Sequence, residues 1–148
     1  MRRKVFCMLL AVALLVEALL GGGTYFFLRA FLIERTAERM EDMAYLLLGQ
    51  LEDGGAQEQL EKWAAALNAQ HDVYRLTVVG MSGEVTADTD AAAKEMENHQ
   101  NREEIERARR SGYGQALRYS PTLGGSALYV AVSDGTWVLR ISQDFAQI

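Results

Sequence analysis

The stretch YRLTVVGMSGEVTA, residues 74–87, decides the fold. Upstream of it the apolar residues recur at helical spacing; within it they alternate, which is the period of a strand. Tyr74 to Val79 and Glu84 to Ala87 read as two strands joined at Gly80-Met81-Ser82-Gly83. Working downstream, Asp88 to Gln100 is polar and irregular, a long loop of the kind that carries function. Asn101 followed by Glu104 is a helix start of capping-box type. That helix ends with Arg109-Arg110 against the negative end of its dipole and with Gly112 as the stop. Gln115 to Tyr119 leads through Pro121 and Gly124-Gly125 into Ala127 to Ser133, and Asp134-Gly135 makes a tight hairpin into Thr136 to Ser142. Upstream, Leu60, Trp63, Ala64 and Leu67 mark a short amphipathic helix closed by His71-Asp72. The expected class is α+β: a PAS-like domain with a five-stranded, mostly antiparallel sheet, preceded by a long N-terminal transmembrane and coiled helix.

That leading helix begins Met1-Arg2-Arg3-Lys4 and continues from Val5 to Leu28 with a single charge, Glu17. At about 1.5 Å rise per residue the run crosses a hydrocarbon core of about 30 Å with some tilt. A cleavable signal peptide is the rival reading, with Gly21-Gly22-Gly23 as its small residues. Tyr25-Phe26-Phe27-Leu28 carries the apolar run past those glycines, which favours an uncleaved anchor. Basic residues flank both ends, Arg29, Arg35 and Arg39 after the span; only Arg2-Arg3-Lys4 lacks acidic neighbours, so the N-terminus is read as cytoplasmic. Glu17 is an intramembrane polar group, suited to helix packing beside the glycines or to snorkelling through a local water defect. Beyond the span, Ile33, Ala37, Met40, Ala44, Leu47 and Leu51 recur at alternating spacings of four and three. This is the heptad seam of a homodimeric coiled coil, with a simple core helix as the alternative. Gly54-Gly55 ends the region.

The net charge of −5 over 148 residues argues against a nucleic-acid surface. Arg107, Arg109 and Arg110 sit beside Glu103 and Glu106, as on a solvated helix face. The single cysteine, Cys7, lies in the apolar run, so no internal disulfide or thiolate metal site is available. Glu95, Glu97 and His99 alternate, but one histidine among loop carboxylates is a poor metal set, and none is assigned. Neither a nucleophile motif nor a phosphate-cradling loop occurs, so the chain reads as non-enzymatic and without cofactor.

Several blocks carry a resemblance to a known family. They are Leu76-Thr77-Val78-Val79, Ser82-Gly83-Glu84-Val85, Ala87-Asp88-Thr89, and Met96-Glu97-Asn98-His99 with Asn101-Arg102 and Glu104-Ile105. Downstream, Arg118-Tyr119-Ser120, Leu128 to Val132 and Val138 to Ser142 follow in the same order. Together they resemble the membrane anchor and extracytoplasmic PAS-like (Cache-type) sensor domain of phosphate-regulon and cell-wall-type bacterial sensor histidine kinases. Glu103 stands where the family usually has proline, and Ser82-Gly83 where it has an Asp-Gly turn. The resemblance implies a cytoplasmic tail 1–4, a span 5–28, a membrane-proximal helix 29–53, a sensor domain 56–142 and a truncated exit segment 143–148. The family continues into a second span and a kinase, absent after Ile148, so a kinase fragment and a truncated stand-alone relative are both expected forms.

The implied function is the signal-input module of a two-component system in the cell membrane, passing ligand or partner binding across the bilayer. The alternative is a membrane-tethered interaction protein pairing with a kinase or another envelope protein. In PAS-like domains the ligand lies between the sheet and the adjoining loop-helix segment. This implies His99, Arg102, Tyr119 and Tyr129 as the lining of a site for a small anionic or polar ligand. For Asn98 and His99 the residues also allow a structural role, satisfying backbone groups before the helix.

Overall fold

Alternating residues become strands where both faces can be covered. The computed structural model describes residues 2–52, 54–69, 73–90, 92–120 and 125–144. His71-Asp72, Pro121, Gly124 and the end of the exit segment lie outside them. Strands β1 (Tyr74–Gly80), β2 (Val85–Asp88), β3 (Tyr113–Ser120), β4 (Gly125–Ser133) and β5 (Trp137–Asp144) form one sheet in the order β2-β1-β5-β4-β3. All four pairings are antiparallel. The hairpin at Asp134-Gly135 is present. Asp134 Oδ1 accepts from the backbone N–H groups of Thr136 (2.8 Å) and Trp137 (2.9 Å), while Gly135 takes a φ of 90° that a side chain would resist.

Three α-helices accompany the sheet among the described residues: α1 (Arg2–Leu48), α2 (Ala56–Asn68) and α3 (Glu103–Ser111). The chain divides into two units, Met1–Arg35 and Thr36–Ile148. In the first, α1 is apolar and exposed, long and apolar enough to cross a membrane; Glu17 lies exposed within it.

Residues paired across antiparallel strands share a face, so register assigns the second unit's two cores. On one face lie Leu76, Val78, Leu128, Val130, Val132, Leu139 and Ile141, all buried. α3 lies on the other face, so the remaining helices must cover this one. Their buried residues are Ala37, Met40, Ala44 and Leu48 of α1 and Leu60 and Ala64 of α2.

Part of the expected seam lies in this chain's own core. Ala37, Met40 and Ala44 are buried by their own chain, and Leu51 lies past the helix end; Ile33 and Leu47 are half-buried. A heptad seam and a core stripe share the same three-and-four spacing, and the sheet offers the larger apolar partner.

The capping box is also not made. The helix begins at Glu103 rather than Arg102; Arg102 occupies the N-cap with φ −76° and ψ 127°, and no side chain caps it. Glu104 turns inward instead. A cap contributes about 1 kcal/mol, whereas hydrogen bonds to charged groups contribute about 1.5–3 kcal/mol each, so pairing with arginine wins. The far end follows expectation: Gly112 has φ 88° and its N–H bonds to the Ala108 carbonyl at 2.8 Å.

Candidate functional site

Strand register places a row of polar side chains across the face under α3. Thr77 pairs with Asp88 on one side and Arg140 on the other; Arg140 pairs with Ala131, Ser142 with Tyr129, and Ala127 with Arg118. These residues therefore point the same way from all five strands. Val79, Ala131 and Val138 form the apolar part of this face, packed against Ile105 and Ala108 of α3. Gly114 lets the helix approach: a Cβ there would collide with the Glu104 carbonyl oxygen and come within 2.8 Å of Arg107 Cβ.

Glu104 is the centre of the site. It is 0% exposed, and both its oxygens accept from Arg118, with Nη2 to Oε1 at 2.9 Å. Arg140 Nη1 reaches Oε1 at 3.4 Å. Arg140, 3% exposed, also donates from Nη2 to Thr77 Oγ1 at 3.0 Å, and that hydroxyl donates to Asp88 Oδ2 at 2.7 Å. Asp88 in turn accepts from Arg75 Nε at 3.0 Å, and Asp90 lies 3.8 Å from the same atom. Tyr129 sits beneath the arginines, with the Arg118 guanidinium 3.9 Å above its ring and that of Arg140 at 5.4 Å. Such stacking on a desolvated ring adds about 2 kcal/mol.

Around Glu104 two guanidiniums face one carboxylate, and Asp88, reached from Arg140 through Thr77, offsets part of their charge. Burial pushes the Glu104 carboxyl up, but the Arg118 hydrogen bond and the charges of Arg118 and Arg140 outweigh it, so the group is held below its usual range. Burial lowers Arg140, and Glu104 offsets part of that. Its Nε has no hydrogen-bond partner among the described residues, and neither has His99 Nδ1. His99 is 5% exposed. Burial first, then the charges of Arg140 and Arg102, bring its pKa down to about 4, so the imidazole is neutral. Buried polar atoms are mostly paired; among the described residues Arg109 Nε and Gln143 Oε1 are the other buried side-chain atoms left open.

The loop before α3 is clamped. The His99 N–H donates to Gly83 O at 2.7 Å, Asn98 Nδ2 donates to Ser82 O at 3.1 Å, and Arg102 N–H donates to His99 O at 3.0 Å. Asn98 and the His99 backbone therefore do shape this loop. At the other end of α3, the Gly112 carbonyl accepts from the Tyr45 hydroxyl of α1 at 3.0 Å.

Of the four residues expected to line a pocket, the structure brings His99 and Tyr129 to this face. Arg102 is exposed at the N-cap. Tyr119 is 64% exposed and pairs with Ser126, one step out of phase with the Ala116–Tyr129 pair, so it points from the opposite face. Sequence reading missed Glu104, Arg118, Arg140, Thr77, Asp88 and Arg75 as site residues. The available signal was charge at inward strand positions, most visibly Arg140 between Leu139 and Ile141. No cluster of metal-ligating side chains occurs among the described residues.

Neither a protein-family model nor a curated protein matches the chain. Among solved structures it is similar to the YkuI protein of Bacillus subtilis, a protein with an EAL domain in complex with its substrate c-di-GMP and calcium. Identity is 13% and the TM-score 0.60, over 83% of this chain and 35% of that one. The chain thus spans about a third of that protein's length, and at this identity the likeness shows the fold alone. It is also similar to the extracellular domain of the putative histidine kinase rpHK1S-Z16, at 15% identity and a TM-score of 0.42, over 59% of this chain and 38% of that one. That score is too low to bear on the fold.

Proposed function

We propose that this chain is a membrane-anchored sensory input module, with its α+β domain outside the cytoplasm, that reads a small anionic ligand at the face under α3. The observation that carries this reading is the buried arginine pair around Glu104, with Arg140 Nε and His99 Nδ1 still open beside it. An anion held there would exchange hydration for charge-assisted hydrogen bonds in a low-dielectric site, where such bonds are strongest. The resemblance to two-component sensor histidine kinases supports coupling of that event to a kinase across the membrane, in a homodimer. The chain itself supplies no catalysis in this reading.

Thermal unfolding of the full chain in detergent micelles, titrated with a panel of small anions, tests the binding. A ligand at about a hundred times its Kd stabilises by about 2.7 kcal/mol, a rise in Tm of several degrees. Arg118→Ala is expected to remove most of that rise. No response to any small anion would favour the alternative, a tethered interaction protein that binds no small ligand.

Orientation has its own test. With Arg2-Arg3-Lys4 held inside, protease added to intact protoplasts is expected to digest the domain. Protection until lysis would place the domain in the cytoplasm.

A further inference from the structure

We infer that Glu104 is the resident occupant of an anion site formed by Arg118 and Arg140, and that the external ligand is a carboxylate that takes its place. The inference rests on the sensory reading above and names its ligand class. Three features lead to it. Of the three acidic residues of α3, Glu104 alone is buried; Glu103 pairs with Arg107 at 2.6 Å and Glu106 with Arg110 at 2.5 Å, each one helical turn apart on the exposed side. Its carboxylate meets Arg118 through both oxygens, the fork-to-fork geometry that a planar two-oxygen anion satisfies and a tetrahedral one satisfies less well. Its grip on Arg140 is loose, at 3.4 Å, while Arg140 Nε lies buried and unpartnered. A carboxylate on a free molecule has no helix attached and can engage both guanidiniums at shorter range.

Exchange has a mechanical consequence. Glu104 is in the first turn of α3, and once displaced it no longer ties that turn to β3 and β5. The other end of the helix is bonded through Gly112 to Tyr45, so a tilt of α3 is felt by α1.

The test compares acetate, formate and inorganic phosphate as probes on the full chain in micelles, by thermal unfolding, in wild type, Glu104→Gln and Glu104→Ala. A neutral amide competes for the guanidiniums less well than a carboxylate, and a methyl group does not compete at all. Apparent acetate affinity is therefore expected to rise in the order wild type, Glu104→Gln, Glu104→Ala, by about tenfold or more from first to last. Arg118→Ala placed on Glu104→Gln is expected to abolish the gain. Should Glu104→Ala not fold, the comparison of wild type with Glu104→Gln carries the same expectation. Equal acetate affinity in wild type and Glu104→Gln would overturn the occupant role, even if wild type binds an anion. Phosphate binding without any carboxylate response would overturn the ligand class and leave the sensory reading standing. No response to any probe in any folded variant would overturn both.

Discussion

Arg140→Ala is expected to destabilise the folded domain by about 3–5 kcal/mol, the range for removing one partner of a buried ion pair. Arg140 lies on the central strand, 3% exposed, and holds both Glu104 and Thr77. Its loss leaves the Glu104 carboxylate buried with one guanidinium in place of two and removes the donor to the Thr77 hydroxyl. Arg118→Ala is expected to cost less, because Arg118 sits on edge strand β3 with its side chain 28% exposed and water can replace it. Urea unfolding followed by the emission of Trp63 and Trp137 checks both. A loss below about 1 kcal/mol for Arg140→Ala would show that the cluster is far better hydrated than its burial indicates. The double change Arg140→Met with Glu104→Leu is expected to be near neutral or stabilising, since apolar replacements of whole buried ion pairs commonly are. That outcome would mean the charges are kept for binding rather than for stability.

Stability is expected to fall steeply between pH 6.5 and pH 4, through His99. Its pKa is depressed from 6.5 to about 4 in the folded chain, so below pH 6.5 the unfolded state takes up the proton first. The contribution is complete above pH 6.5 and drains away as the pH falls through about 4, by about 2–3 kcal/mol in all. Glu104, whose carboxyl is also held down, has the same sign, and its contribution begins to be lost only below pH 4.5. Urea midpoints measured from pH 7.5 to pH 4 should show the decline, and His99→Asn should flatten its upper half. An unchanged slope in that variant would assign the decline to other groups.

The strands were legible because each is short and bounded by turn residues, so neighbours along the chain were enough to read them. The site was not, because it depends on which strand lies beside which. Tyr119 and Tyr129 look equivalent in sequence, yet the β3–β4 register sends them to opposite faces. Glu104 fits a capping box by spacing, and only the nearness of two arginines from distant strands turns it inward. Met40 and its neighbours satisfy a dimer seam and a core stripe equally, since the spacing records that a face is buried without recording what buries it. His99 was found from the motif before α3, and its clamp to Gly83 explains why it lies next to the charges.

The strand order has a bearing on how the domain is made. β5 is the last strand to leave the ribosome, yet it occupies the middle of the sheet, between β1 and β4. Until it arrives, the β1–β2 and β3–β4 hairpins have no strand joining them, and the long-range pairing that closes the sheet is of the slow kind. A nascent chain would therefore present two hairpins with open edges for as long as synthesis takes to reach Asp144. During that interval those open edges are free to pair wrongly, so the arrival of β5 is the step that protects the sheet.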